Sequence, residues 1–309
     1  MITSVFKKST PINYSLLMIL VLCFFFLYQF QDTTWTNSVL EIGKKIGLLI
    51  IITGSFFLVN FISKKNGLTK DSAFTMFFFL LFMLVFPSLW NNYNLILANF
   101  FVLLAMRRLV SLQTLKAPKE KIFDASLWIF LAAFFNFWCI LFLLVVYISI
   151  IFHVSRDYRN WLIPFVALFT TLVLFISYHL LIDSAAIDNY IKSISYNLQL
   201  DYFTNNYQNL ALSIFAVLAV FFVIPMMVSL TNRPLNLQAS YKKLIFSFFI
   251  GIVIFIISIN KSNDLLVFTF FPMAVLATNT IEYSQNKLQQ EIILFVTVLL
   301  SLFAFFVQL

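Results

Sequence analysis

The chain has 309 residues, of which 62% are hydrophobic and only 10% charged, with a net charge of +8. Its mean hydropathy is +0.97. Soluble domains carry about 25% charged residues, so a water-soluble fold is excluded and lipid is the expected solvent.

The apolar stretches run for about 15–22 residues, the length of membrane helices, without the two-residue alternation of a membrane β-barrel. In chain order the predicted spans are 12–30, 46–62, 73–90, 94–110, 123–136, 137–153, 161–181, 208–230, 244–259, 265–281 and 291–308. They define an all-α, polytopic transmembrane helical bundle of about eleven transmembrane helices, a single integral membrane domain over residues 1–309. Lys7 and Lys8 precede the first span, and no small-residue cleavage site follows it. That span is expected to be a retained helix rather than a removed signal peptide. The run 123–153 is too long for one upright helix and is divided at Asn136, between Phe135 and Phe137, into two short ones. In the longest loop Ile187, Tyr190, Ile191, Ile194 and Leu198 recur at helical spacing, which predicts an amphipathic helix at the membrane interface.

Charge distribution orients this arrangement. With the N-terminus cytoplasmic and the spans alternating, sixteen of the twenty Lys and Arg fall on the cytoplasmic side and four on the other. If 123–153 were one span, every later loop would switch sides and the split would fall to twelve against eight. The eleven-helix alternation satisfies the positive-inside rule better. The basic charge is therefore expected to face anionic lipid in a bacterial inner (cytoplasmic) membrane, and no nucleic-acid surface is implied.

Motifs for catalysis are few. There is no phosphate-cradling loop, no GxGxxG, no GxSxG and no HExxH. Cys23 and Cys139 both fall in apolar segments and are expected to be buried packing thiols. Gly43 and Gly47 have the spacing of a helix-dimer motif, but Lys44 and Lys45 stand between them. His153 is expected at the interface, and His179 within a helix end. Arg107 and Arg108 are expected to anchor their helix at the interface, with phosphate binding as the lesser alternative.

The acidic residues of the outer side are the one constellation that points to chemistry: Asp32, Glu41, Asp183, Asp188, Asp201 and Asp264. Gathered at one membrane face, their carboxylates suit a divalent cation or a general base acting on a hydroxyl. Helix capping is the competing role, expected foremost for Asp264 and Asp124. Asn91, Asn92, Tyr93, Asn205 and Tyr207 on the same side suit a sugar or headgroup, and equally an aromatic belt.

The opening Met1 to Asn13, the stretch Ala98-Asn99-Phe100-Phe101 leading to Arg107-Arg108, and Ile122 to Trp128 resemble an uncharacterised family of flavobacterial polytopic integral membrane proteins, over the whole length. A weaker similarity, in Phe123-Asp124-Ala125 and in the segment from Asp264 to Pro272, is to the membrane glycosyltransferases of the GT-C class, which use polyprenyl-phosphate sugars. That resemblance implies an essential acid in the first outer loop, which is Asp32 here, or Glu41, with Asp264 in support. It also implies a polyprenyl-phosphate-linked sugar as partner. The alternatives are a non-catalytic envelope-assembly or scaffold subunit working with other envelope proteins, and then a transporter. Scarce Gly and Pro and the near absence of mid-membrane charge speak against transport.

Overall fold

The computed structural model describes residues 2–182, 196–198, 205–259 and 261–309. The predicted interfacial helix at 187–198 lies largely outside the described residues. Those described form twelve α-helices: α1 (Ile2–Phe6), α2 (Pro11–Gln29), α3 (Val39–Lys65), α4 (Phe74–Val85), α5 (Tyr93–Ser111), α6 (Pro118–Phe135), α7 (Leu143–His153), α8 (Arg159–Ile182), α9 (Asn206–Ser229), α10 (Leu235–Ile257), α11 (Val267–Tyr283) and α12 (Lys287–Val307). Among the described residues eight helices are long and apolar enough to cross a membrane, while Phe74–Val85 and Phe137–His153 are apolar but shorter.

Each predicted span overlaps a helical segment, but eight of the described helices, against the eleven expected, are long and apolar enough to cross a membrane, and the bounds differ at the ends. Val39–Lys65 and Leu235–Ile257 begin seven and nine residues before 46 and 244. Their first turns carry charged and amide side chains, and a reading by apolarity stops where these begin. Polar caps set several starts instead. Thr10 accepts from the Asn13 amide, Asn92 from Leu95, Asn205 from Tyr207 and Asn286 from Leu288, each satisfying an orphan N–H of a first turn. Asn136 closes α6 and accepts from the Trp138 amide at 3.2 Å, so the division of 123–153 falls where expected.

Two helices form a centre that does not meet lipid. Every residue of α4 is buried, and α11 is buried along nearly all its length. They run antiparallel. Thr278 donates to Thr75 at 3.2 Å near one end. Farther along, the Phe270 ring lies 6.3 Å from Phe79 and 6.1 Å from Phe86. Phe215 and Phe222 of α9 complete the ring cluster, with centroids 5.7 Å from Phe270 and 5.5 Å from Phe78 respectively. Helices in lipid gain little from hydrophobic association, so contact area must come from dispersion and ring geometry. The abundance of Phe supplies that area with few small residues. The exception is Gly251 of α10, where a Cβ would stand 2.6 Å from Thr269 Cγ2 and 3.2 Å from backbone of α11. By contrast, Cβ atoms at Gly43 and Gly47 would meet nothing within 4 Å. Cys139 is buried as expected, but Cys23 is exposed, because its side of α2 faces outward.

The loops gather at two opposite ends. At the N-terminal face Lys64 pairs with Asp71 at 2.8 Å and Lys119 with Asp157 at 3.1 Å. There too the Lys70 amide donates to Glu282 at 2.8 Å, and Tyr241 with Asn279 holds the Leu68 carbonyl. Hydrogen bonds from Lys64 and Ser9 keep the Asp71 carboxyl below its ordinary range. At the distal face Gln31 donates to the Leu309 carbonyl at 2.6 Å and Asn263 to the Gln208 carbonyl at 2.8 Å.

Between α5 and α6, Leu115 and Ala117 adopt left-handed backbone with φ of 52° and 46°. Ala117 is also the residue before helix α6, and no side chain caps there. Gly suits both demands better than Ala. Ala117→Gly is therefore expected to raise the unfolding temperature in detergent, corresponding to about 0.5–1 kcal/mol. Gly251→Ala is expected to cost about 1–3 kcal/mol through overpacking, and Thr269→Ser, which removes the nearest methyl, to restore part of that loss in the same thermal assay.

Candidate functional site: a polar cleft at the distal face

Helix α2 ends at Gln29, and the chain turns through Asp32 and the 3-10 turn Thr34–Asn37 before α3 begins. The Trp35 indole donates to the Gln29 carbonyl at 3.3 Å, folding this turn back over the helix end. Between the turn, the first turns of α3 and the Asn91–Tyr93 corner lies an open cleft of about 400 Å³.

Its floor is a buried polar knot. Lys45 is only 9% exposed. It donates to Gln29 Oε1 at 2.7 Å and also to Asn91 Oδ1. Gln29 Nε2 donates in turn to Asn91 Oδ1 at 2.9 Å and to the Trp90 carbonyl at 3.2 Å. Among the described residues no carboxylate is within ion-pair distance of Lys45. Burying an ammonium is costly unless polar partners surround it, and here two side-chain amide oxygens and the Tyr93 ring, 5.8 Å away, take that role.

Of the acids expected to act together, Asp32 and Glu41 line this one cleft with Lys45, Tyr28, Trp35 and Tyr93. Asp32 accepts from the Thr34 amide at 2.9 Å. Hydrogen bonds from Thr34 hold its carboxyl below the usual carboxylate range, and the Lys45 charge acts in the same direction. It is therefore ionised at neutral pH. Glu41 pairs with Lys44 at 2.7 Å along the exposed side of α3.

Asp264 stands apart. It is buried, accepts from the Ser88 hydroxyl and from Asn92 Nδ2 at 3.2 Å, and does not line the cleft. Nor does it cap a helix by a side-chain bond to backbone, as the sequence suggested. Asp124, also expected as a cap, lies within α6 and pairs with Arg108 at 2.7 Å. Asp183, Asp188 and Asp201 lie outside the described residues, as does the side chain of His179. Among the described residues, no group of three or more His, Cys, Asp and Glu is placed to hold a metal ion.

Sequence reasoning missed Lys45, which it assigned to a loop, and Gln29, which it read as a helix end. The available signal was a lysine on the helical continuation of an apolar span, a position that demands partners. Asn92 and Asn205, considered for headgroup binding, are engaged as helix caps. His153, expected at the interface, also has its Nε2 3.2 Å from Nζ of Lys243, which is fully buried and donates to the Leu109 carbonyl at 2.6 Å.

A bundle of long apolar helices, with polar networks at its two ends and a ring-filled centre, is a multi-pass membrane protein. This one belongs to a family of unknown function, DUF6427, which matches it over residues 1–309. No curated protein and no solved structure matches it significantly.

The two kinds of acid are expected to separate in a stability assay. Asp264→Leu strands the Ser88 and Asn92 donors and should destabilise by about 1–3 kcal/mol. Asp32→Asn, at an exposed position, should leave the unfolding temperature in detergent essentially unchanged.

Proposed function

We propose that the protein is a GT-C-like component of a bacterial inner membrane, with eleven crossings and a cytoplasmic N-terminus. In this reading the distal cleft handles a polyprenyl-linked sugar or a related envelope precursor on the outer face. The observation that carries it is the convergence of two carboxylates, one buried lysine and three aromatic rings in a single open cleft at the distal end of the bundle. Carboxylates and a cation are what transfer of a sugar from a phosphate requires, and aromatic faces suit the apolar face of a sugar.

Asp32 would take the proton of an acceptor hydroxyl. The hydroxyl oxygen then bonds to the anomeric carbon, and the bond from that carbon to the phosphate oxygen breaks with its electron pair going to the phosphate. Lys45, held at the floor by Gln29 and Asn91, faces the leaving phosphate as a positive charge. Glu41 supports at the cleft rim. Asp264 supports from behind, by fixing Ser88 and Asn92 beside the Asn91 corner. A transport reading has less in its favour, because the centre between the two faces is packed with Phe rings.

The test is sugar transfer from a polyprenyl-phosphate donor by protein reconstituted in liposomes. Asp32→Asn and Lys45→Met are expected to lower turnover by at least about 100-fold, the scale of losing a general base or a charge-stabilising group, at normal protein abundance. The lowered Asp32 carboxyl keeps it deprotonated above the ordinary carboxylate range. Its titration should therefore produce no fall in activity between pH 5 and pH 8. Full function of both variants in cells would sink the catalytic reading and favour a non-catalytic envelope-assembly subunit.

A further inference from the structure

At the N-terminal face, α3, α5 and the loop into α6 enclose a second pocket of about 370 Å³. Five cationic residues line it, Lys65, Arg107, Arg108, Lys116 and Lys121, and no carboxylate does. Arg108 is committed to Asp124 at 2.7 Å. Lys121 donates to the Ser111 carbonyl at 2.7 Å and the Thr114 hydroxyl at 2.9 Å. Lys65, Arg107 and Lys116 have no carboxylate within ion-pair distance among the described residues.

Two independent features show that this gathering is built. Lys65 Nζ and Arg107 Cζ each lie 4.9 Å from the centroid of one ring, Phe61, which holds two like charges side by side. Lys116 is carried between Leu115 and Ala117, the only two non-glycine residues with positive φ among those described. Backbone in such sparsely populated regions recurs where a loop must present a group to a ligand. Topogenic charge needs neither a shared ring nor a left-handed loop. Phe61 is 39% exposed on the outward side of α3, so the pocket opens at the outer surface of the bundle.

We infer that this pocket is a binding site for a phosphate-bearing anion, entered from the membrane side and suited to the phosphomonoester headgroup of a lipid. Arg107 offers a planar fork to two phosphate oxygens, and Lys65 and Lys116 supply point charges around it. The inference is independent of the distal cleft and of any activity there.

The test uses the full-length protein in neutral detergent, titrated with dioctanoyl phosphatidic acid and, separately, with dioctanoylglycerol, which lacks the phosphate. Binding is followed by thermophoresis and stoichiometry by native mass spectrometry. One molecule of the phosphatidic acid is expected to bind, with no saturable binding of the diacylglycerol. Arg107→Gln/Lys116→Gln should weaken that binding roughly thirty-fold, about fivefold for each of the two cations lost near a phosphate. Lys7→Gln/Lys8→Gln, on the same face outside the pocket, should change it less than about twofold. Where the double variant fails to fold, Lys116→Glu in the exposed loop gives the same reading. Inorganic phosphate distinguishes the source: failure to compete supports a lipid headgroup, and competition at similar concentration supports a free phosphate compound. Equal binding of both lipids, or unchanged affinity in the pocket variants, overturns the site.

Discussion

The pairing of α4 with α11 is the packing on which the other elements rest. Both are withdrawn from lipid, and neither has a charged residue along its shared length. What holds them is ring against ring, with Phe79, Phe82 and Phe86 ranged along Phe270. Because hydrocarbon surrounds the bundle, nothing is gained by hiding apolar surface from water between helices. Close, shape-matched contact remains as the main source of cohesion. The one glycine pressed into this centre, Gly251, marks where a helix backbone had to come nearer than a side chain permits.

Each end of that pair is tied to a polar network, and the two networks differ in kind. At the distal end the pair terminates in Ser88, Asn92 and Asp264, beside the corner that gives Asn91 to the Lys45 knot. At the N-terminal end the Leu68 carbonyl receives Tyr241 and Asn279, while Glu282 gathers Lys70 and Ser72. A buried polar group away from water must find partners or be excluded. These networks meet that demand for the groups they join and, in doing so, fix the loops around them. The distal cleft is built on a corner held in this way, and the loop of the basic pocket is tied by Gln113, which donates to the Asn66 carbonyl at 3.1 Å. One combines carboxylates with a single buried ammonium, and the other gathers cations alone. The proposed chemistry follows that difference: transfer from a phosphate in the first, retention of a phosphate in the second.

The sequence was informative where one-dimensional pattern carries the physics. Apolar runs located the eight described helices that are long enough to cross a membrane, since a helix in lipid must be apolar around its circumference over many residues. Asn136 could be picked as a break because an amide between two Phe residues has no favourable place in a continuous apolar helix. Helix ends were less legible. Lys45 and Lys243 lie on helices that continue past their apolar portions, and only the packed partners explain why these charges are tolerated there.

Class and handling of solvent were thus determined by the sequence itself: 62% hydrophobic residues in long runs admit only a helical bundle in a membrane. Sites were decided by tertiary structure. Asp32 and Glu41 are brought to one cleft by the turn between α2 and α3, whereas Asp264, expected beside them, is drawn inward by Ser88 and Asn92. Lys65, Arg107 and Lys116 look like ordinary interfacial charges along the chain, and they become a pocket only when α3, α5 and the loop to α6 meet. Hydropathy is a local property that accumulates along the chain. Which polar side chains share a cavity depends on contacts between residues far apart in sequence, and no local pattern encodes that.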